Sequence, residues 1–142
     1  MNTILIIDED QQIQMLYAEE LFDEGYDVLT CSNPSGLMKL IDQKRPDLVI
    51  MEVLFKNYDG LELLKKISHT YKELPVILCT AYPAFKQDLR SLAAFSIIVK
   101  SSNLKSLKTV IEHALNRKTP RSPSQYNHKI NRHYPMNWHI FP

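Results

Sequence analysis

The sequence predicts an α/β fold in which helices cover both faces of a parallel β-sheet. Three short apolar runs, residues 4–7, 48–51 and 76–79, lack the alternation of a half-exposed strand. Continuous apolarity of this kind is typical of strands that are buried on both faces. Between these runs the apolar residues recur at helical spacing. Alternating strands and helices indicate right-handed crossovers within a parallel sheet.

Two further segments complete a set of five predicted strands. Residues 97–99 form a shorter apolar run, and residues 26–30 have the mixed polarity of an edge strand. In chain order these segments are the fifth and the second strand. Each of the five strands is followed by a segment with helical periodicity, so the pattern predicts five strand–helix units.

The predicted helices have recognisable ends. Gly25 is placed to end the first helix in a left-handed cap, and Asn33 and Asp59 are placed to cap the second and third helices. Pro46 stops the second helix, because the residue before a proline disfavours helical geometry. The apolar positions of the five helices lie within residues 13–21, 37–41, 61–71, about 84–93 and about 104–116.

The composition excludes several classes of function. The chain has 142 residues, enough for one domain with a buried core, and 44% of them are hydrophobic. No apolar run approaches the roughly 20 residues of a membrane span, and the N-terminus lacks the cationic start of a signal peptide. The three glycines form no phosphate-binding loop. Two cysteines without framework spacing favour a reducing compartment, so we expect a cytoplasmic protein without membrane contact.

The charge is divided between two parts of the chain. Residues 1–116 carry 12 cations and 16 acids, a net charge of −4, whereas residues 117–142 carry five cations and no acid. This contrast predicts a domain over residues 1–117 and a basic, proline- and aromatic-containing tail over residues 118–142. The tail is too short for an output domain. It is interpreted as a flexible extension, with partner binding, docking onto the acidic domain or nucleic-acid contact as alternatives.

Polar residues follow four of the predicted strands and mark the candidate site. They are Asp8, Glu9, Glu52, Thr80 and Lys100. Ligands of open α/β sheets bind at the carboxyl ends of the strands, so we expect these side chains to converge. Any one acid after a strand could be only a helix cap or a loop charge. Carboxylates at close quarters repel one another and need a cation, either Mg²⁺ or the Lys100 ammonium.

Five segments of the chain resemble the receiver domain of two-component response regulators. They are I-L-I-I-D-E-D, R-P-D-L-V-I-M-E-V, Y-D-G-L-E-L-L, P-V-I-L-C-T-A-Y and I-I-V-K, within residues 3–116. The resemblance implies a flavodoxin-like (βα)5 three-layer sandwich with strand order 2-1-3-4-5. It further implies an Mg²⁺ site formed by Asp8, Glu9 and Glu52, with Thr80 and Lys100 contacting a phosphoryl group.

The chain departs from the family pattern at the most important position. Where the family has the phospho-accepting Asp, this chain has Glu52, and the extra methylene moves the carboxylate by roughly 1.5 Å. The aromatic switch position of the family is Ile97, and a frequent proline after the acceptor is replaced by Lys56. The Lys-Pro step is Lys100-Ser101, which predicts a trans peptide bond.

These departures lead to three hypotheses. The first is a pseudo-receiver that is not phosphorylated normally, is not an enzyme and acts through protein–protein interaction. The second is a working receiver that uses Mg²⁺ and Glu52 as an atypical acceptor. The third is a haloacid-dehalogenase-like phosphatase, because Asp8 and Asp10 fit the start of that family's D-x-D motif.

The expected partners follow from the same resemblance. They are a histidine kinase, a phosphotransfer protein or an effector protein, with a homodimer through the fourth helix, fifth strand and fifth helix as a further candidate. The near-neutral net charge of +1 argues against nucleic acid as the main partner of the whole chain.

Overall fold

A five-stranded parallel sheet forms the centre of the computed structural model, which describes residues 1–116. Its strands lie in the order β2-β1-β3-β4-β5, which confirms the predicted flavodoxin-like order. The strands are β1 (Thr3–Ile7), β2 (Asp27–Cys31), β3 (Leu48–Met51), β4 (Val76–Thr80) and β5 (Ser96–Val99). The predicted edge strand therefore begins one residue later than expected.

Four α-helices and three short 3-10 helices connect these strands in residues 1–116. The α-helices are α1 (Gln11–Asp23), α2 (Leu37–Lys44), α3 (Gly60–Thr70) and α4 (Lys105–Asn116). The 3-10 helices are Pro34–Gly36, Pro83–Gln87 and Leu89–Ala93. The predicted ends of α1 and α3 are confirmed, whereas Asn33 caps the 3-10 helix Pro34–Gly36 and α2 begins after Gly36 without a side-chain cap. Asp59 accepts a hydrogen bond from the Leu61 N–H at 2.9 Å, and Gly25 has a φ of 93°, a left-handed conformation that suits glycine.

The sheet separates two apolar clusters because successive residues of a strand face opposite sides. Ile4 and Ile6 of β1 pack in one cluster with residues of α1 and α4. Leu5 and Ile7 pack in the other cluster with residues of α2 and α3. Since every residue from Ile4 to Ile7 is buried, this strand requires the continuous apolar run that the sequence contains.

The prediction of a single helix over residues 84–93 is wrong. Two 3-10 helices occupy this crossover and are joined at Asp88, which has an extended backbone. The Asp88 carboxylate accepts a hydrogen bond from the Arg90 N–H at 2.9 Å, a capping contact that begins a new turn rather than continuing the old one. Leu89 is 81% exposed, so its helical spacing reflects no buried face. The predicted dimer surface would therefore present these two 3-10 helices, rather than an α-helix, beside β5 and α4.

Arg90 links this crossover to the start of α3 through ion pairs. Its guanidinium lies 3.0 Å from Asp59 Oδ2, 3.2 Å from Glu62 Oε1 and 3.1 Å from Asp88 Oδ2. We call these four residues the Arg90 cluster. All four side chains are substantially exposed, with 43% of the Arg90 side chain accessible to solvent.

The cysteines, the Lys100-Ser101 bond and the absence of an apolar helix long enough for a membrane agree with the sequence predictions for residues 1–116. Cys31 and Cys79 are free thiols, as expected for residues on non-adjacent strands. Residues 1–116 contain no cis peptide bond, so the Lys100-Ser101 bond is trans as predicted. No helix in this part of the chain is long and apolar enough to cross a bilayer. The predicted tail, 118–142, lies outside the described residues.

Candidate functional site

Four polar side chains lie at the carboxyl ends of adjacent strands. Asp8 follows β1, Glu52 follows β3, Thr80 ends β4 and Lys100 follows β5. Asp8, Glu52 and Thr80 are buried among apolar residues, and only 17% of the Lys100 side chain is exposed. The parallel register brings these strand ends to one edge of the sheet, as the sequence led us to expect.

Lys100 joins two of the carboxylates directly. Its Nζ lies 2.7 Å from Asp8 Oδ2 and 2.7 Å from Glu52 Oε1. We call these three residues the Lys100 bridge. Burial disfavours the charged ammonium, but hydrogen bonds to Asp8 and Glu52 outweigh it and raise the pKa of Lys100 above its ordinary value. The Lys100 ammonium therefore offsets the repulsion between the Asp8 and Glu52 carboxylates.

The second oxygen of Glu52 is occupied by the backbone that follows β3. Glu52 Oε2 accepts hydrogen bonds from the N–H groups of Val53 and Leu54, the latter at 3.0 Å. Both carboxylate oxygens of Glu52 are thus engaged, one by a cation and the other by two amides. The Glu52 side chain therefore folds back over the start of the β3–α3 loop.

Asp8 is held by contacts that the sequence did not reveal. Its Oδ1 accepts a hydrogen bond from the Asp10 N–H at 2.9 Å. The buried Gln14 of α1 donates to the Asp8 carbonyl and to Ser32 Oγ, the latter at 2.9 Å. A glutamine among the apolar positions of α1 was the available signal, since buried amides require hydrogen-bond partners.

Glu9 points away from the Lys100 bridge. Its Oε1 accepts a hydrogen bond from the Lys56 N–H at 2.9 Å, across the β3–α3 loop. A proline at position 56, frequent in the related family pattern, has no N–H and could not make this bond. The departure at Lys56 therefore has a structural consequence, because it lets the loop hold the Glu9 carboxylate.

Thr80 and Ile97 occupy the other two predicted positions. The fully buried Thr80 accepts a hydrogen bond on Oγ1 from the Tyr82 N–H at 3.2 Å, while its carbonyl accepts from the Lys100 N–H at 2.8 Å. Ile97 is completely buried in the cluster that contacts α2 and α3. An aliphatic side chain at this depth has no polar group with which to report on the site.

Two residues beneath the bridge form a buried polar contact. The Tyr17 hydroxyl lies 3.3 Å from Cys79 Sγ. Burial raises the pKa of Cys79 to about 11 and raises the pKa of Tyr17 above its ordinary value, so both groups remain protonated near neutral pH. The Cys79 thiol is buried in the apolar cluster that contacts α1 and α4.

The three acidic side chains predicted to hold Mg²⁺ do not share one partner in this structure. Asp8 and Glu52 both face the Lys100 ammonium, while Glu9 faces the Lys56 amide. Within residues 1–116 no three histidine, cysteine or acidic side chains are arranged to hold a metal ion. Mg²⁺ prefers near-octahedral oxygen ligands, and this arrangement does not fit it.

Comparison with known proteins defines the family. The model of the response regulator receiver domain matches residues 4–112. The chain therefore belongs to the receiver domain family of two-component signalling proteins, and its sheet order agrees with that assignment.

Two curated relatives illustrate the range of proteins that carry this domain. The DNA-binding transcriptional regulator NtrC of Azospirillum brasilense is 31% identical over 120 residues, which cover 83% of this chain and 25% of that protein. The sporulation initiation phosphotransferase F of Bacillus subtilis is 27% identical over 114 residues, covering 79% of this chain and 92% of that protein. The chain spans between 25% and 35% of the length of several curated relatives that it matches.

One similar solved structure is matched by this chain over that structure's whole length. The response regulator TrrA of Thermotoga maritima, solved in complex with Mg²⁺-BeF, is 36% identical with a TM-score of 0.78. The match covers 81% of this chain and 100% of that chain. TrrA has also been solved in complex with the histidine kinase ThkA, and in that structure it is 35% identical to this chain with a TM-score of 0.76, over 81% of this chain and 99% of that one.

Proposed function

We propose that this chain is a pseudo-receiver, a signalling module that is not phosphorylated normally and acts through protein–protein interaction. The observation that carries the proposal is the engagement of both Glu52 oxygens, by Lys100 and by the amides of Val53 and Leu54. Hydrogen bonds to both oxygens make the carboxylate a weaker nucleophile toward a phosphoryl donor.

The position of the carboxylate gives a second reason. The extra methylene of Glu52 displaces the nucleophilic oxygen by roughly 1.5 Å from where an aspartate would place it. In-line attack depends on alignment, and a misplacement of about 1 Å can reduce the rate about 10²-fold. Glu52 also places a carboxylate oxygen 2.7 Å from Lys100 Nζ without any phosphotransfer, a contact that a phosphoryl group would make only after transfer.

The same arrangement supports a diminished role for Mg²⁺. Lys100 supplies the positive charge between Asp8 and Glu52. A divalent ion would have to displace that ammonium and draw Glu9 away from the Lys56 amide. We therefore propose that Mg²⁺ binds this site weakly, although the relative TrrA was solved with Mg²⁺-BeF.

The proposed partner is another signalling protein. TrrA forms a complex with a histidine kinase, and NtrC is a transcriptional regulator, so partners of receiver modules include kinases and effectors. We assign this chain the same class of partner, with a phosphotransfer protein as the third candidate, and place it in the cytoplasm. Membership of the receiver family favours this role over the phosphatase hypothesis.

A working receiver is the second candidate function. Asp8, Thr80 and Lys100 are all present at the strand ends, and Lys100 contacts the acceptor position. These residues favour slow phosphorylation of Glu52 if its carboxylate can leave the two amides. The two candidates differ in a single measurable product, an acyl phosphate on Glu52.

Phosphotransfer read by intact mass distinguishes them. The chain is incubated with acetyl phosphate and Mg²⁺, beside a Glu52→Asp variant that shortens the side chain by one methylene. We expect no added phosphate on the native chain and one on the variant. A phosphate on native Glu52 would sink the pseudo-receiver proposal. If neither chain gains phosphate, the explanation through the methylene alone is wrong.

A further inference from the structure

The outer surface of α1 carries large apolar side chains that nothing in residues 1–116 covers. Met15 is 71% exposed and Phe22 is 69% exposed. They are seven residues apart, so they lie on the same side of the helix, with Glu19 between them and Asp23 beside Phe22. We call these four residues the outer face of α1. Two large exposed apolar groups on one helix face are a feature of binding surfaces.

The acids of this face are available for a cationic partner. Glu19 and Asp23 are exposed, and none of the ion pairs found within residues 1–116 includes either of them. By contrast, Glu20 and Glu24 of the adjacent side are bound by Lys108 of α4, at 3.1 Å and 3.2 Å. The outer face therefore combines exposed apolar groups with uncompensated negative charge.

The end of the described chain lies on the same side of the molecule. Helices α1 and α4 pack on the same face of the sheet, and both follow strands of one parallel sheet, so they run in the same direction. Both helices therefore end at the same edge of the sheet, α1 at Asp23 and α4 at Asn116. Lys108, in the first turn of α4, contacts Glu20 and Glu24 near the end of α1, so the described chain ends about two helical turns beyond that contact.

The composition of residues 117–142 complements this face, with five cations and four aromatic residues, of which Tyr126 lies among the cations. All five cations fall within residues 117–132, and no acid follows. The last part of the chain, 134–141, contains Tyr134, Trp138 and Phe141. In a docked arrangement the cations would face Glu19 and Asp23, and the aromatic residues would face Met15 and Phe22.

The length of this segment is sufficient. Its 26 residues could extend to roughly 85 Å, whereas the 13 residues of α1 span only about 20 Å. A segment attached by a short flexible linker has an effective concentration on the order of 1 mM at its own domain. A contact with a dissociation constant of about 1 mM would therefore occupy the face in half of the molecules.

From these observations we propose that residues 117–142 dock on the outer face of α1 of the same molecule. Charge complementarity brings the segment to Glu19 and Asp23, and its aromatic residues cover Met15 and Phe22. The proposal does not depend on whether Glu52 is phosphorylated.

Quenching of Trp138 by acrylamide in the full chain tests the proposal, because Trp138 is the only tryptophan. We expect quenching at least about twofold weaker than in the free peptide 117–142, consistent with half or more of the chains being docked. Phe22→Ser should restore quenching to the peptide value, and so should Glu19→Lys combined with Asp23→Lys. All changed side chains are exposed, and circular dichroism checks that each variant folds.

Leu89→Ser is the matched control, since Leu89 is 81% exposed on the crossover that contacts α3. It should leave the quenching unchanged. Three outcomes would overturn the proposal. The native chain could be quenched as strongly as the peptide, or Leu89→Ser rather than Phe22→Ser could increase quenching. Protection could also disappear on dilution, which would assign the face to a second copy of the chain.

Discussion

The Lys100 bridge and the Arg90 cluster use the same chemistry in two different environments. Each places one cation within hydrogen-bond distance of two or more carboxylates. Only 17% of the Lys100 side chain is exposed, against 43% for Arg90. In both clusters the contacts with acids raise the pKa of the cation above its ordinary value.

The difference in burial determines what each cluster can do. Charges at the surface are solvated whether or not they are paired, so their mutual contacts add little to stability. A buried carboxylate has lost its water, and removing its cation leaves it uncompensated. The Lys100 bridge is therefore a fixed part of the site, whereas the Arg90 cluster positions a surface crossover that can be altered at small cost.

The largest expected effect comes from breaking the buried cluster. Lys100→Met leaves Asp8 and Glu52 facing each other without a cation, and should lower the free energy of unfolding by about 3–5 kcal/mol. Urea denaturation followed by circular dichroism measures it. Adding Glu52→Gln to this variant removes one stranded charge and should recover part of the loss. A Lys100→Met chain as stable as the native one would mean that the bridge contributes nothing.

An intermediate effect is expected where Glu9 binds the β3–α3 loop. Lys56→Pro removes the N–H that the Glu9 carboxylate accepts, and should lower the free energy of unfolding by about 1 kcal/mol. Lys56→Ala keeps the N–H and should behave as the native chain does. Equal destabilisation by both variants would show that the lysine side chain, and not the backbone bond, is responsible.

A small effect is expected from the exposed cluster. Arg90→Met removes three surface ion pairs, and its change in unfolding free energy should be several-fold smaller than that of Lys100→Met. The same denaturation experiment compares the two variants directly. A loss for Arg90→Met that matches the loss for Lys100→Met would contradict the role given to burial.

The smallest expected effect is a change in the pKa of one carboxyl group, that of Asp59. Burial would raise the pKa of Asp59, but hydrogen bonds from Arg90 and the Leu61 amide lower it below its ordinary value. A carboxyl with a lowered pKa stabilises the fold above its unfolded pKa, and loses that contribution as the pH falls through the folded value. Arg90→Met should therefore raise the pKa of Asp59 in a carboxyl NMR titration, whereas Lys44→Met should not. An unchanged pKa of Asp59 in Arg90→Met would show that Arg90 does not lower it.

The sheet could be predicted from the sequence because burial alone dictates its pattern. Residues 4–7 are apolar without interruption since β1 lies between two helical layers. The same logic failed over residues 84–93, where Leu89 and Leu92 have helical spacing but are exposed. There the capping bond of Asp88 decided the backbone conformation, and periodicity carries no information about such a contact.

The site could be predicted only as far as strand ends determine it. The positions of Asp8, Glu52, Thr80 and Lys100 follow from the sheet, but the direction of each side chain depends on partners distant in sequence. The Glu9 carboxylate accepts a hydrogen bond from an amide 47 residues away. Local sequence spacing could not predict that partner.

Binding of Mg²⁺ with beryllofluoride, the ligand pair found in TrrA, tests the central claim most directly. The thermal unfolding midpoint is measured with and without both ions for the native chain and for Glu52→Asp. A ligand present at about 100 times its dissociation constant should raise the midpoint of a domain of this size by about 5–10 °C. We predict that rise for Glu52→Asp and no change for the native chain. A comparable rise for the native chain would show that Glu52 and Lys100 leave the site open to a phosphoryl group.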